Sequence, residues 1–324
     1  MKFAFIIDPL NKLDPGHDST VAMMEAAQAS GHEVWVTVAE KLSIVKGQAW
    51  ALLERVELEF VELIDDRWVA QENWYRVVEV TGRSLQEMNA VFMRTDPPVT
   101  IPYLYATQIL DLLDPEKTLV INSPRALQAA NEKLYAMQFP DVIPETIVSQ
   151  DKLVIREFIE GREGGVLKPL GGKAGEGILF LHESDRNLNS LIEISTKWGK
   201  EPVMVQDYLP AAKEGDKRII LLEGEAIGAV NRIPSGKEFR GNMAVGGRVV
   251  KTEITPREQE IISILAPKLQ ADKLYFVGID VIGGYLTEIN VTSPTGIREI
   301  DRLNNVRLGK QVIQWVEEKL SVED

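Results

Sequence analysis

The hydrophobic pattern at the N-terminus predicts a strand, a helix and a second strand. An apolar run at residues 2–7 is typical of a buried strand, and a helix capped by Asp18 or Ser19 follows it and ends at Gly31. A second strand is predicted at residues 32–38. This start lacks the G-x-G-x-x-G fingerprint, so it does not indicate a Rossmann-type dinucleotide site.

The next residues predict the rest of an N-terminal α/β lobe. Alternating polar and apolar positions near 57–64 and 75–80 indicate short strands joined by turns. Strands are also predicted at 90–93 and 118–121, with a helix at 102–113 between them. We place the end of this lobe near Asn122.

Beyond Asn122, short helices and strands alternate. Helices are predicted at 124–139, 151–160, 187–198 and 255–271 and in one terminal helix to about residue 320, with strands at 143–148, 203–209, 219–222 and 226–233. Residues 234–248 are rich in glycine and show no periodicity, which indicates a mobile loop or lid.

Residues 276–291 predict a hairpin whose two apolar strands meet at a two-glycine turn. Asp280, Glu288 and Asn290 place acceptor side chains on these strands, and such oxygens suit Mg²⁺. The alternative, a hairpin with an ordinary wet face, is less favoured because such a face more often carries Lys or Thr. A strict two-residue turn would set Asp280 opposite Thr287. A metal site shared by Asp280 and Glu288 therefore requires a three-residue turn or a bulge.

Two other segments carry candidate chemistry with an equally simple alternative. Arg94 begins a charged cluster just after the strand at 90–93, where open α/β sheets bind ligands, but the Asp-Pro-Pro that follows is also typical of a solvated turn. Glycines at 171, 172, 175 and 177 follow Lys168 and suit an anion, because their backbone N–H groups can crowd around it. This is not a Walker loop, and a flexible hairpin loop is the alternative.

Composition and charge limit the partners. The chain has 324 residues, 44% hydrophobic and 26% charged, which is typical of a soluble globular protein with two or more lobes. A net charge of −13 argues against nucleic acid or an anionic membrane as the main partner. The absence of cysteine excludes disulfides and thiolate chemistry. With no predicted signal peptide or membrane span, we expect a cytoplasmic protein.

The residues after the first lobe form an inventory that suits a polyphosphate and its divalent metal. It comprises Lys133, Lys168, the glycine loop, Arg218, Arg232, Asp280, Glu288 and Asn290. The three histidines lie far apart in the sequence, and none is a convincing nucleophile. We therefore expect the phosphoryl acceptor to lie on the substrate.

These motifs resemble the ATP-grasp superfamily and, over essentially the whole chain, the prokaryotic glutathione synthetases. The segments that carry the resemblance are Ile7-Asp-Pro9, Asp18-Ser19 with Glu25-Ala26, Met93-Arg-Thr-Asp-Pro-Pro98, Asn131-Glu-Lys133, Leu167-Lys-Pro-Leu170, Gln206-Asp-Tyr-Leu-Pro210, Gly215-Asp-Lys-Arg218, Arg232-Ile-Pro234, Arg240-Gly-Asn242, Gly246-Gly-Arg248 and Thr287-Glu-Ile-Asn-Val-Thr-Ser-Pro-Thr295. The glycine loop departs from the family pattern, so Lys173 and Glu176 receive no role.

The resemblance implies an α/β (α+β) fold in which an N-terminal open α/β lobe, the pre-ATP-grasp lobe, precedes a two-lobed ATP-grasp domain with mainly antiparallel sheets. The lobes implied are 1–122 for substrate binding and 123–324 for ATP-grasp, the latter divided into 123–210 and 211–324.

The resemblance also implies the reaction: ATP, γ-glutamylcysteine and glycine give glutathione, ADP and phosphate through an acylphosphate, with Mg²⁺ or Mn²⁺. The residues implied for catalysis are Arg218, Arg232 and Lys168; for ATP, also Lys133, Gly171, Gly172, Gly175, Gly177, Gln206, Asp207, Tyr208, Leu209 and Asp216; for metal, Asp280, Glu288 and Asn290; and for substrate, Ser19, Arg94, Arg240, Asn242, Arg248, Asn290, Ser293 and Thr295. It further suggests a homotetramer.

Two other functions stay open at this point. One is a different ATP-grasp carboxylate–amine ligase, against which the Arg94 cluster argues. The other is an ATP-binding regulatory protein of the same fold, against which the full metal trio and both arginines argue.

Overall fold

The computed structural model describes residues 1–172, 175–234 and 248–322, and three large sheets organise this part of the chain. A mixed seven-stranded sheet forms the N-terminal lobe. A four-stranded and a five-stranded antiparallel sheet follow it along the chain. No helix among the described residues is long and apolar enough to cross a membrane.

The N-terminal sheet has a parallel centre and an antiparallel edge. Its strands are β1 (Lys2–Ile6), β2 (Glu33–Thr37), β3 (Leu42–Val45), β4 (Gln48–Leu58), β7 (Tyr75–Ser84), β8 (Ala90–Met93) and β9 (Leu119–Ile121), while β5 (Glu62–Ile64) and β6 (Arg67–Val69) form a separate hairpin. Strands β2, β1, β8 and β9 run parallel, and β4 pairs antiparallel with β2, β3 and β7. The helices are α1 (Ser19–Ala29), α2 (Ile101–Leu110) and α3 (Pro124–Ala129). Asp18 caps α1, as predicted, by accepting from the Thr20 and Val21 amides.

The central sheet is antiparallel throughout, in the order β10 (Thr146–Ser149), β13 (Val203–Asp207), β11 (Gly165–Pro169) and β12 (Leu179–Leu181). Helices α4 (Lys152–Ile159) and α5 (Leu188–Ser195) cover one face. Buried Ile155 and Ile192 on these helices and Leu167 and Val205 on the strands belong to one apolar cluster. The opposite face of this sheet carries the polar side chains Lys168 and Gln206, so it can line a polar site.

The C-terminal sheet runs in the order β16 (Arg248–Lys251), β15 (Glu225–Ile233), β14 (Asp216–Leu222), β17 (Phe276–Ile282) and β18 (Tyr285–Asn290). Helix α6 (Pro256–Ala271) packs its apolar side against one face of this sheet. The helix begins with a capping box between Thr255 and Glu258. The terminal stretch forms two helices rather than the single one predicted. They are α7 (Ile297–Asn304) and α8 (Leu308–Val322), and α7 ends where Asn305 takes a left-handed φ of 55°.

The β17–β18 hairpin contains the bulge that a shared metal site requires. Gly283 and Gly284 form a two-residue turn, both with positive φ. The register shifts one position later, so Asp280 lies opposite Glu288 instead of Thr287. The bulge therefore brings the two carboxylates to the same face of the sheet, which confirms the register prediction.

The helix predicted for residues 124–139 is wrong in its second half. Helix α3 ends at Ala129, and a separate 3₁₀ helix spans Leu134–Gln138. The Asn131 side chain accepts from the amides of Lys133 and Leu134. This local bonding replaces the helical pattern, as asparagine side chains often do. Lys133 consequently lies on a non-helical link and not on a helix surface.

Candidate active site

A cavity lies between the central and C-terminal sheets. Lys168 and Gln206 line it from the central sheet, and Asp216, Asp280 and Glu288 line it from the C-terminal sheet. The strand register explains the second wall, because Arg218 on β14 pairs with Asp280 on β17, which in turn pairs with Glu288 on β18. Cross-strand neighbours on one face are close enough to interact directly.

Asp280 is the centre of the charged network on this wall. Its carboxylate accepts from Arg218 Nε at 2.5 Å and Nη2 at 2.9 Å, and it pairs with Arg232 Nη2 at 3.0 Å. Arg232 also pairs with Asp216 at 2.5 Å. Both arginines and Asp280 are buried. Two buried guanidinium groups are therefore held in place by two carboxylates, with fork-like bonds that restrict their orientation.

Burial and neighbouring charge act in opposite directions on these groups. Burial alone would raise the pKa of Asp280, but Arg218 and Arg232 outweigh it and hold this pKa below its ordinary value. Burial would likewise lower the pKa of Arg232, yet the adjacent Asp216 and Asp280 hold it above the ordinary value. Burial raises the pKa of Asp216 against the opposing effect of Arg232. The Asp216 Oδ1 atom is also buried without a hydrogen-bond partner in the described part of the chain.

Lysines line the side of the cavity facing this network. The Lys133 Nζ donates to the Gly172 carbonyl and to Glu288 Oε1, each at 2.9 Å. The Lys168 Nζ donates to Gln206 Oε1 at 2.6 Å. Burial lowers the pKa of Lys168, and the charge of Glu288 partly offsets this effect. Both cations thus lie beside the glycine loop, where a phosphate chain would need them.

One edge of the cavity lies beside an aromatic pair. Tyr208 and Leu209 line it, and the Tyr208 ring meets Phe180 edge-to-face at 5.1 Å. The Asp207 amide donates to the Glu145 carbonyl at 2.9 Å, and its carboxylate pairs with Arg162 at 2.7 Å. These contacts tie the end of β13 to Glu145 and Arg162.

The acceptor side chains on β17 and β18 are of the types that bind divalent cations, although Asp280 is engaged by two arginines. Asn290 Nδ2 donates to Asp280 Oδ2 and to the Gly278 carbonyl, each at 3.3 Å, so its amide oxygen points away from both acceptors. The Glu288 side chain lines the cavity and is 23% exposed. Among the described residues, no group of three or more His, Cys, Asp or Glu side chains is placed to hold a metal ion. Two carboxylates with one amide are hard ligands of the kind that Mg²⁺ prefers.

Family models match both halves of the chain. Residues 1–128 match the prokaryotic glutathione synthetase N-terminal domain, and residues 132–305 match the prokaryotic glutathione synthetase ATP-grasp domain. The chain belongs to the prokaryotic glutathione synthetase family. It is accordingly an ATP-dependent carbon–nitrogen ligase with the ATP-grasp fold.

Curated relatives agree with this assignment, and solved structures share the fold. The glutathione synthetase of Synechocystis sp. (strain ATCC 27184 / PCC 6803 / Kazusa) is 67% identical over 98% of this chain and 100% of its own length. That of Nostoc sp. (strain PCC 7120 / SAG 25.82 / UTEX 2576) is 64% identical over 100% of both chains. The crystal structure of D-cycloserine synthetase DcsG has a TM-score of 0.65 at 14% identity, over 99% of this chain and 100% of its own. The ligase PsnB with minimal precursor, Mg and ADP has a TM-score of 0.63 at 15% identity, over 98% of both chains. These two structures share the fold.

The structure brings most of the predicted nucleotide and metal residues to one cavity. Those that line it are Lys133, Lys168, Gly172, Gly175, Gln206, Asp207, Tyr208, Leu209, Asp216, Asp280 and Glu288. Arg218, Arg232 and Asn290 contact this set through Asp280. Gly171 and Gly177 belong to the same glycine loop.

The predicted substrate residues are divided between several places. Ser19 and Arg94 are buried between lobes: Ser19 Oγ accepts from the Gly296 and Ile297 amides, and Arg94 donates to Thr20 Oγ1 and to the Pro294 carbonyl. The Thr295 carbonyl accepts from Arg218 Nη1 at 3.0 Å. Ser293 lies two residues before Thr295, and Arg248 is exposed at the start of β16. Arg240, Asn242, Lys173 and most of the predicted 234–248 lid lie outside the described residues.

Two residues of this region received no role from the sequence. Thr146 Oγ1 donates to the Pro144 carbonyl and accepts from Gln206 Nε2, so it orients the amide that faces Lys168. Glu132 contacts the segment after β18 with three hydrogen bonds. Thr146 and Glu132 each contact residues that are distant in the sequence. The only indication in the sequence was that Glu132 lies inside the Asn131-Glu-Lys133 motif.

Proposed function

We propose that this ligase joins the amine of glycine to the cysteinyl carboxylate of γ-glutamylcysteine and makes glutathione, ADP and phosphate. The observation that carries the proposal is the cavity between two antiparallel sheets, with lysines and a glycine loop on one side and the Arg218–Asp280–Glu288 row on the other. A carboxylate is a poor electrophile, so the γ-phosphoryl group is first transferred to it. The glycine amine then attacks the acylphosphate carbon, and phosphate leaves.

The residues contribute positioning and charge to this sequence of steps. Lys133, Lys168 and the backbone of the glycine loop hold the phosphates, and the edge of the cavity at Tyr208 and Leu209 takes the adenine. Arg218 and Arg232 neutralise the charge on the phosphoryl group in transfer. Their carboxylate partners fix both guanidinium groups before the substrate arrives, which lowers the cost of reorganisation.

Asp280, Glu288 and Asn290 would hold Mg²⁺ or Mn²⁺. When bound, the cation neutralises phosphate oxygens and makes the γ-phosphorus a better electrophile. Asp280 has a double role in this assignment, because it also orients both arginines.

The remaining residue roles are proposed on the resemblance and on position. Ser293 and Thr295 bind the dipeptide from the segment after β18, and Asp216 organises Arg232 or binds the ribose. Ser19 and Arg94 act on the dipeptide through the buried contacts that shape this segment. Arg240, Asn242 and Arg248 belong to a lid that shields the acylphosphate from water. We also propose lobe boundaries near 122 and 210, a cytoplasmic location and a homotetramer.

An assay of phosphate release with each substrate omitted in turn tests the function. We expect release to require ATP, γ-glutamylcysteine and glycine together, with one glutathione formed per phosphate. Release with another carboxylate–amine pair in place of these substrates would indicate a different ligase. ATP binding without turnover on any amine would indicate a regulatory protein.

A further inference from the structure

The link between α3 and the following 3₁₀ helix joins three parts of the active site. The Asn131 side chain donates to the Leu170 carbonyl at 3.0 Å, beside the glycine loop. Lys133 reaches the Gly172 carbonyl and the Glu288 carboxylate. The residue between them, Glu132, does not line the cavity and instead contacts the segment after β18.

Glu132 anchors the chain where it leaves β18. Its Oε1 atom accepts from the Val291 amide at 2.9 Å, the Thr292 amide at 3.0 Å and the Thr292 hydroxyl at 2.8 Å. Its own carbonyl accepts from the Ile289 amide at 3.1 Å. Val291 and Thr292 are 0% and 2% exposed, so these bonds form away from water. A carboxylate that accepts several N–H and O–H donors forms a strong, directional anchor.

No cation among the described residues forms an ion pair with Glu132. Burial raises the pKa of Glu132, which reflects the cost of placing this carboxylate inside the protein. Its three donors all come from residues 291 and 292, so the compensation for burial depends on this segment holding one conformation. A buried carboxylate without a cationic partner is costly for stability, so we expect the position of residues 291 and 292 to matter for function.

The segment that Glu132 anchors is the one proposed to bind the dipeptide. We define residues 291–296 as the dipeptide loop; it follows Asn290 and contains Ser293 and Thr295. Its second half is held by Arg94 at the Pro294 carbonyl and by Arg218 at the Thr295 carbonyl. Glu132 fixes the first half of the loop through its hydrogen bonds to Val291 and Thr292.

We infer that Glu132 is a positioning residue for γ-glutamylcysteine, acting through the dipeptide loop and not through ATP. The inference rests on the proposed function of this loop. A side chain that fixes Val291 and Thr292 restricts where the neighbouring Asn290 and Ser293 groups meet the dipeptide, and small displacements of such groups reduce rates strongly.

The test compares Glu132→Ala, Glu132→Gln and Thr292→Val with a matched control, Asp301→Ala. Asp301 is also a buried carboxylate that accepts a backbone amide, from Leu308 at 2.8 Å, but it serves the α7–α8 junction. For Glu132→Ala we expect the KM for γ-glutamylcysteine to rise at least ~10-fold, as for loss of a charge-assisted anchor, while the KM for ATP changes less than ~3-fold. Glu132→Gln keeps the acceptor oxygen and should recover part of this loss, and Thr292→Val should raise the same KM by about 3-fold, as for one neutral hydrogen bond.

Asp301→Ala should reduce thermal stability without changing either KM. Calorimetric titration of γ-glutamylcysteine into each variant saturated with ADP and Mg²⁺ then shows whether the KM change reflects binding. If Glu132→Ala does not fold, Glu132→Gln and Thr292→Val decide the matter.

Equal increases in the KM values for dipeptide, glycine and ATP, or an unchanged dipeptide KM in both Glu132→Gln and Thr292→Val, would overturn the inference. A wild-type protein that forms no glutathione would contradict the proposed function instead. An active wild type with an insensitive dipeptide KM would contradict only the role of Glu132.

Discussion

Replacing Asp280 by Asn removes one charge from the centre of the arginine network and keeps the shape of the side chain. Asp280 receives three contacts of 3.0 Å or less from two buried guanidinium groups. After the change, Arg232 keeps its carboxylate partner Asp216, whereas Arg218 keeps no carboxylate partner and retains the Thr295 carbonyl as an acceptor. Removing one partner of a buried ion pair typically costs about 3–5 kcal/mol, and the asparagine oxygen still accepts one bond. We therefore expect the free energy of unfolding to fall by about 3 kcal/mol.

The same variant should lose at least ~10²-fold in turnover, because the cation site and the orientation of both arginines depend on Asp280. Urea denaturation and steady-state phosphate release measure the two effects. Asp66→Asn is the matched control: Asp66 pairs with Arg302 at 2.5 Å, but its side chain is 72% exposed. An exposed pair of this kind contributes about 1 kcal/mol or less, so this control should change little.

Two results would refute the reasoning about Asp280. Turnover within ~3-fold of wild type at saturating Mg²⁺ would exclude Asp280 from the cation site. A stability loss no larger than that of Asp66→Asn would show that the buried arginines do not depend on its charge.

Three further variants test other parts of the site and fold. Lys168→Met removes a half-buried cation from the cavity and should raise the KM for ATP by at least ~10-fold, since bonds to charged groups contribute about 1.5–3 kcal/mol. An unchanged KM would remove Lys168 from the nucleotide site. Gly177→Ala should weaken ATP binding, as measured by calorimetry. Gly177 has a φ of +70°, and a Cβ atom there would lie 2.8 Å from Pro169 Cγ. Gly82→Ala is the control and should bind ATP normally, because a Cβ atom at position 82 would have nothing within 4 Å. Burial raises the pKa of Asp301 from 3.8 to about 6. The native state therefore binds this proton more tightly than the unfolded chain does, and the contribution of Asp301 to stability falls as the pH rises from 3.8 to about 6. Asp301→Asn should abolish this fall, at most about 3 kcal/mol in unfolding experiments from pH 4 to 7, and an identical pH profile in the variant would contradict the assignment.

The register of the β17–β18 hairpin shows what the sequence could predict. The two-glycine turn and the side-chain period of two are local properties, so the pattern itself indicated that a bulge was needed if Asp280 and Glu288 were to share a face. The structure has this bulge. The expected pairing of Asp280 with Glu288 and the local strand geometry together therefore predicted an irregularity in this hairpin.

The link at residues 131–133 shows where the pattern failed. An apolar period continued across it, and the prediction ran a single helix to residue 139. The helix ends early because Asn131 bonds to nearby amides, while Glu132 and Lys133 bond to residues more than 150 positions away. Such partners are fixed only when the lobes pack, so no local period reveals them.

Arg94 and Ser19 illustrate a second limit. The family resemblance implied that both residues contact the substrate. The structure places both in buried bonds that hold the dipeptide loop from the N-terminal lobe. Whether a polar side chain in a motif touches a ligand or a ligand-binding segment depends on small differences in distance, which a sequence pattern does not contain.

The central claim is that the cavity activates the dipeptide carboxylate as an acylphosphate. The most direct measurement uses γ-glutamylcysteine labelled with ¹⁸O in its cysteinyl carboxylate, with ATP, Mg²⁺ and glycine, and mass analysis of the released phosphate. We expect one labelled oxygen in each phosphate, because the bond between the carboxyl carbon and the bridging oxygen breaks when glycine attacks. Unlabelled phosphate, with all label retained in the peptide or its unreacted precursor, would contradict the account.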